Sequence, residues 1–135
     1  MYIQYRPNGL IVSCFVGPSF MWDAQVKDVL LNTIEIEWHD VGCIDTHFIK
    51  ESTLTTRPTQ STSLSKAILT SDGVDTITIT DAPAGIFTAT NTTTRETVTG
   101  SISGSDTFST TVAGTYEIKI ESFPYLDFVT TVEAI

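Results

Sequence analysis

Gly114-Thr115-Tyr116-Glu117-Ile118-Lys119-Ile120 alternates without a break. In an extended chain Tyr116, Ile118 and Ile120 share one face, and Thr115, Glu117 and Lys119 the other. That is the period of a strand dry on one side and wet on the other. Gly114 turns the chain ahead of it and Pro124 clips the chain behind it. β-Sandwiches often place a corner tyrosine at the entry of a late strand, just after a glycine turn. A plain buried aromatic fits Tyr116 equally well, and the sequence leaves both readings open.

Outward from this strand, residues 60 to 135 read as one run of short strands. Leu64 to Leu69 precedes the turn Ser71-Asp72-Gly73, and Val74 to Thr80 precedes Asp81-Ala82-Pro83-Ala84-Gly85. Ile86 to Thr90 leads to the polar tip Asn91-Thr92-Thr93-Thr94. Thr97 to Ile102 ends at Gly104-Ser105-Asp106, Thr107 to Thr111 ends at Ala113-Gly114, and Phe128 to Ile135 follows Thr115 to Ser122. Seven short strands with turn signals every eight to twelve residues predict an immunoglobulin-like β-sandwich. There is no Cys-Trp-Cys set of the antibody kind. Twenty-two threonines lie between Thr53 and Thr131, against two before them. Thr packs a methyl on a pleat and offers a hydroxyl to water, so this bias describes half-buried strands.

The composition changes near Thr59, and Arg57-Pro58-Thr59-Gln60-Ser61 reads as a linker. The expected organisation is therefore a β-rich docking domain over residues 1–58 and the sandwich over residues 59–135. In the first segment Tyr2-Ile3-Gln4-Tyr5 and Leu10 to Val16 flank Arg6-Pro7-Asn8-Gly9. Asn-Gly accepts the positive φ of a tight hairpin turn, and Gly17-Pro18 stops the second strand. Asp23 could cap a short helix over Trp22 to Leu31, with Ala24, Val26, Val29, Leu30 and Leu31 on its apolar face. Thr33 to Trp38 alternates as a strand, and Thr46 to Lys50 and Ser52 to Thr56 are two more, turned at Glu51.

Net charge is −9, from four basic and seven acidic residues up to Pro58 and three against nine beyond it. Seven Lys and Arg cannot supply the basic stripe that a phosphate backbone requires, so neither nucleic acid nor an anionic membrane surface is expected as a partner. The N-terminus lacks a basic-then-apolar signal, and Leu10 to Trp22 is too short and interrupted to insert in a membrane. These features predict synthesis in a reducing cytoplasm, with Cys14 and Cys43 as free core thiols.

One stretch has a chemical look: His39-Asp40-Val41-Gly42-Cys43-Ile44-Asp45-Thr46-His47. His39, Cys43 and His47, with Asp45 as a fourth, are ligand types suited to Zn²⁺. Their spacing of four aligns side chains only on a helix, and Gly42 argues for a turn, so no metal and no cofactor is expected. Glu35 and Glu37 share one strand face opposite Ile34 and Ile36, the pattern of a solvated outer face. No Gly-x-Ser-x-Gly elbow or phosphate cradle occurs, and Asn91-Thr92-Thr93 is a glycosylation sequon without a secretion signal. The chain is not expected to be an enzyme. Phe20, Trp22 and Trp38 crowd a small segment and are its interface candidates. Phe87, Phe108, Phe123 and Tyr125 are expected in the core.

The hairpin, the small β unit ending at Arg57-Pro58, Leu64-Ser65-Lys66, Ala67 to Leu69, Ser71 to Ile79 with its Asp72-Gly73-Val74-Asp75, Ala82-Pro83-Ala84-Gly85 and Ala113-Gly114-Thr115-Tyr116 resemble small virion proteins of tailed bacteriophages. In those a compact N-terminal anchor carries a bacterial-type immunoglobulin-like module. The resemblance covers most of the chain in architecture, and its specific part lies in the Asp-Gly-Val-Asp, Pro-Ala-Gly and Gly-Thr-Tyr stretches. It implies a tail-tip, baseplate or tail accessory role in several copies, other virion tail proteins as partners, assembly in the host cytoplasm and residence in the virion. It brings no catalytic residues. The alternative is a bacterial surface adhesion or carbohydrate-binding module touching a host-surface glycan, and a third reading is a small metallo-enzyme built on His39 to His47.

Overall fold

The computed structural model describes residues 1–17, 31–37 and 42–135. Among the described residues strand accounts for 57% and helix for 3%, so the chain is mainly β. It divides into two compact units, Met1–Arg57 and Pro58–Ile135.

In the first unit β1 (Tyr2–Tyr5) is the centre of a three-stranded sheet between β2 (Ile11–Phe15) and β3 (Asn32–Glu35), antiparallel to both. The Pro7-Asn8-Gly9 turn forms as its chemistry demands. Gly9 takes φ +92° and donates its N–H to the Arg6 carbonyl at 2.8 Å, while Asn8 Oδ1 accepts from Leu10 N–H at 3.1 Å. The described part of the Thr33–Trp38 strand alternates as expected: Ile34 and Ile36 pack on the core, and Glu35 and Glu37 are exposed. A single helical turn, α1 (Cys43–Thr46), leads into a hairpin of β4 (His47–Lys50) and β5 (Thr53–Thr56). Its turn holds Glu51 and Ser52 at φ +49° and +60°, left-handed values that glycine usually supplies. Ile3, Ile11, Cys43 and Ile49 form the buried core of this unit. The helix expected over Trp22 to Leu31 falls outside the described residues except for Leu31.

In the second unit β6 (Ser63–Leu64), β8 (Ile77–Asn91), β10 (Gly114–Glu121), β11 (Phe128–Ala134) and β7 (Ile68–Leu69) follow one another across a sheet, and β9 (Thr97–Phe108) pairs with β8. The seven separate strands expected become six elements. Asp81 to Gly85 does not end a strand but bends β8. Asp81 takes φ +55°, and the register against β9 slips between Ile79 and Ala82 and again between Ala82 and Gly85. Gly104, paired with Ala82, takes φ +80° on the neighbouring strand. At both slips the extra residue lies on β8, so β8 bends there by bulging while Gly104 opposite it takes a left-handed φ. Pro83 sits in the slipped stretch, where no ladder bond is asked of it.

Leu64 to Leu69, expected as one strand, changes partner midway. β6 runs antiparallel to β8, whereas β7 runs parallel to β11 at the other side of the sheet. Leu69, Ile77, Ala89, Phe108, Tyr116, Ile118, Val132 and Ala134 form one buried cluster, and Ile79, Ala82, Ile102 and Ile120 a second. The opposite face carries the threonines. By register, Thr88, Thr90, Thr97, Thr99 and Thr131 lie there beside Glu117 and Lys119, and Thr90 and Thr97 meet hydroxyl to hydroxyl at 3.0 Å.

Candidate functional site

The stretch with ligand-type side chains is not gathered by this fold into a site among the described residues. His39 lies outside them, as do Phe20, Trp22 and Trp38. Cys43, the first residue of α1, turns inward and is fully buried. His47 follows the helix in extended backbone, φ −129° and ψ 168°, so the helical alignment of positions four apart ends one residue too early. Its Nδ1 lies 2.8 Å from Thr46 Oγ1 and its Nε2 3.4 Å from Thr56 Oγ1, so each ring nitrogen faces a hydroxyl. Among the described residues no three His, Cys, Asp or Glu side chains converge to hold a metal ion.

What Cys43 does face is another thiol. Cys14 Sγ lies 3.7 Å from Cys43 Sγ, and both cysteines are free. Burial pushes the Cys14 thiol up to about 12, and its hydrogen bond and charge interaction with Cys43 push the same way. A charged sulfur would be poorly solvated there.

A concavity does form in the second unit, from residues that read in sequence as linker, turn and core. About 480 Å³ in volume, it is lined by Ser61, Asp81, Ala82, Pro83 and Tyr125. Its wall is built by long-range bonds. The Gln60 side-chain amide donates to the carbonyls of Ile120 at 2.9 Å and Leu126 at 3.0 Å, and Thr62 Oγ1 donates to Gln60 Oε1 at 2.8 Å. Leu126 N–H donates to the Pro58 carbonyl, and Ser122 Oγ to that of Ala84 at 2.7 Å. Residues 58 to 62 are thus woven into the second unit, and what read as a linker is one wall of a site. Gly85 permits this closeness: a Cβ there would stand 2.2 Å from the Glu121 carbonyl oxygen.

The positive φ of Asp81 presents an exposed carboxylate at the rim, beside the half-buried Tyr125. Tyr125, expected in the core, instead gives part of its surface to this concavity. Phe108 is buried and Phe87 packs against the core as expected, while Phe123 is half-buried. A carboxylate, a hydroxyl and an aromatic surface around an open hollow suit a small polar ligand.

No family model matches the chain, and comparison with curated proteins and with solved structures gave no match either.

Proposed function

We propose that this chain is a non-catalytic structural component of a tailed-bacteriophage particle, a tail-tip, baseplate or tail accessory part. Residues 1–58 dock into the particle, and residues 59–135 project from it as an immunoglobulin-like module. One observation carries the reading: the three stretches through which the chain resembles such proteins all do structural work. Asp72 Oδ1 accepts from Val74 N–H and Asp75 N–H, both at 2.8 Å, and Asp75 takes the Thr70 N–H and the Lys66 ammonium. Gly85 lets β8 approach the Glu121 carbonyl.

Gly114, at φ +139°, leaves room for the side chain of Asn91, which is buried and accepts from Thr93 N–H and Thr94 N–H. The sequon asparagine is therefore a pin for a loop. Tyr116 ties its hydroxyl to the Val112 carbonyl. These side chains are spent on the fold, as a spacer or mount requires.

Assembly in several copies is supported by β9. Among the described residues this strand of 12 residues has β8 on one side and no strand on the other. Its sequence carries no proline or lysine and only one charge, Asp106. Edges left so unguarded accept a further strand. The test is co-expression of the full chain with the tail proteins encoded beside it. The expected result is a stable complex holding several copies. A monomer that binds none of them overturns the proposal.

The concavity favours a second reading, that the projecting unit touches a host-surface glycan. Asp81 and Ser61 would take sugar hydroxyls while Tyr125 packs on the sugar's apolar face. A glycan array probed with the full chain should give a signal that Asp81→Asn and Tyr125→Ala both abolish. Binding unchanged in both variants moves the ligand elsewhere.

A further inference from the structure

We infer that Cys14 and Cys43 are an oxidation site, closing to an intramolecular disulfide when the folded protein meets an oxidising medium. The geometry carries this. The sulfurs of a strand residue and a helix-initiating residue face each other at 3.7 Å, already close to the ~2.05 Å of a disulfide bond. Cys14 sits opposite Ile3 in the β1–β2 ladder, and Cys43 begins α1, so both backbones are held by regular structure. Cys14 is partly exposed and Cys43 buried. An external oxidant therefore meets Cys14 first, and Cys43 is the resolving thiol.

The oxidant class is a small-molecule disulfide such as oxidised glutathione. Cys14 sulfur attacks it, forms a mixed disulfide and releases one thiol. Cys43 sulfur then attacks Cys14 Sγ, forms the protein disulfide and expels the second thiol. Two protein thiols are oxidised, one external disulfide is reduced to two thiols, and the two protons pass to the leaving sulfurs. Burial keeps the Cys14 thiol protonated at neutral pH, which makes the first step slow, so the reaction fits a long exposure better than a rapid signal. The bond would join the first hairpin to α1 and close a loop of 29 residues in separation, a length at which cross-linking removes substantial chain entropy from the unfolded state.

The test incubates the full chain with glutathione disulfide and glutathione at a series of ratios, once native and once in denaturant, and reads intact mass and free thiols. The native protein should lose both thiols and about 2 Da, the two hydrogens removed, without forming dimers. Its equilibrium for closure should exceed that of the denatured chain by roughly a hundred- to a thousand-fold, the loop-closure effect for this length. Cys43→Ser should stop at a stable glutathione adduct on Cys14. Equal closure in native and denatured chains, or a native parent that keeps its thiols or stops at the adduct, overturns the inference. The parent chain alone decides it, even if the variant fails to fold.

Discussion

Tyr116→Phe separates the two readings of this residue. The ring is buried and stands edge-on to Phe108, with centroids 5.3 Å apart, a packing that phenylalanine keeps. Only the hydroxyl goes. It donates to the Val112 carbonyl at 2.9 Å and stands 2.8 Å from Thr110 Oγ1. Two bonds at a net of about 0.5–1.5 kcal/mol each bound the loss, and water can reach exposed Val112, so the cost should be about 1.5 kcal/mol. For a unit of this size that corresponds to a fall of roughly 6–12 °C in melting midpoint.

Hydrogen exchange at the Ile118 and Ile120 amides reports on the second unit by itself and is the assay of choice. Pairing the change with Thr110→Val should show a coupling of at least ~0.5 kcal/mol, since the two hydroxyls are in contact. A Tyr116→Phe chain within ~0.3 kcal/mol of the parent would refute the corner role and leave Tyr116 a buried aromatic only.

Gly9→Ala should destabilise the first unit by about 3 kcal/mol or more, because it adds left-handed strain and drives a Cβ to 2.1 Å from the Ile49 carbonyl oxygen; urea unfolding of the full chain measures it. Asp72 and Asp75 are held below the ordinary carboxyl value of 3.8, Asp72 by N–H groups of Asp75 and Val74, Asp75 by Lys66 and the Thr70 N–H. Their contribution is present above 3.8 and is lost as pH falls through the lowered folded values, so Asp75→Asn should flatten the acid limb of the second unit's stability profile. Cys14 acts at the other end. Its thiol is raised from 9.0 to about 12, so its contribution is complete below 9.0 and disappears as pH rises to about 12. Cys14→Ser should remove that alkaline loss of stability in the first unit.

The sequence made local structure legible and long-range structure much less so. The first hairpin could be read because Asn8-Gly9 encodes its own turn, and the β4–β5 hairpin because its alternation frames a short gap at Glu51. Pro83, Gly85 and Gly104 were harder. A bulge that kinks a long strand and a turn that ends a short one use the same residues, so local chemistry cannot tell them apart. What decides is whether a partner strand runs on past that level, as β9 does through Gly104 beside Ala82.

The split of Leu64 to Leu69 is hidden for a related reason, since both its partners lie further along the chain, β8 close by and β11 at the far end. The concavity was least legible of all. Gln60 reaches carbonyls 60 and 66 residues away, and nothing near Gln60 announces them. Alternation correctly marked Ile34 and Ile36 for the core and Tyr116, Ile118 and Ile120 for burial. It could not foretell that Cys43 would face Cys14.

The claim at the centre is that this chain is a building part of a phage particle and not a free catalyst. Quantitative mass spectrometry of density-purified tailed particles, released by lysis of the host, measures that directly. The chain should be found in the particle fraction at several copies per tail. Recovery only in the soluble lysate, with none in intact particles, would contradict it.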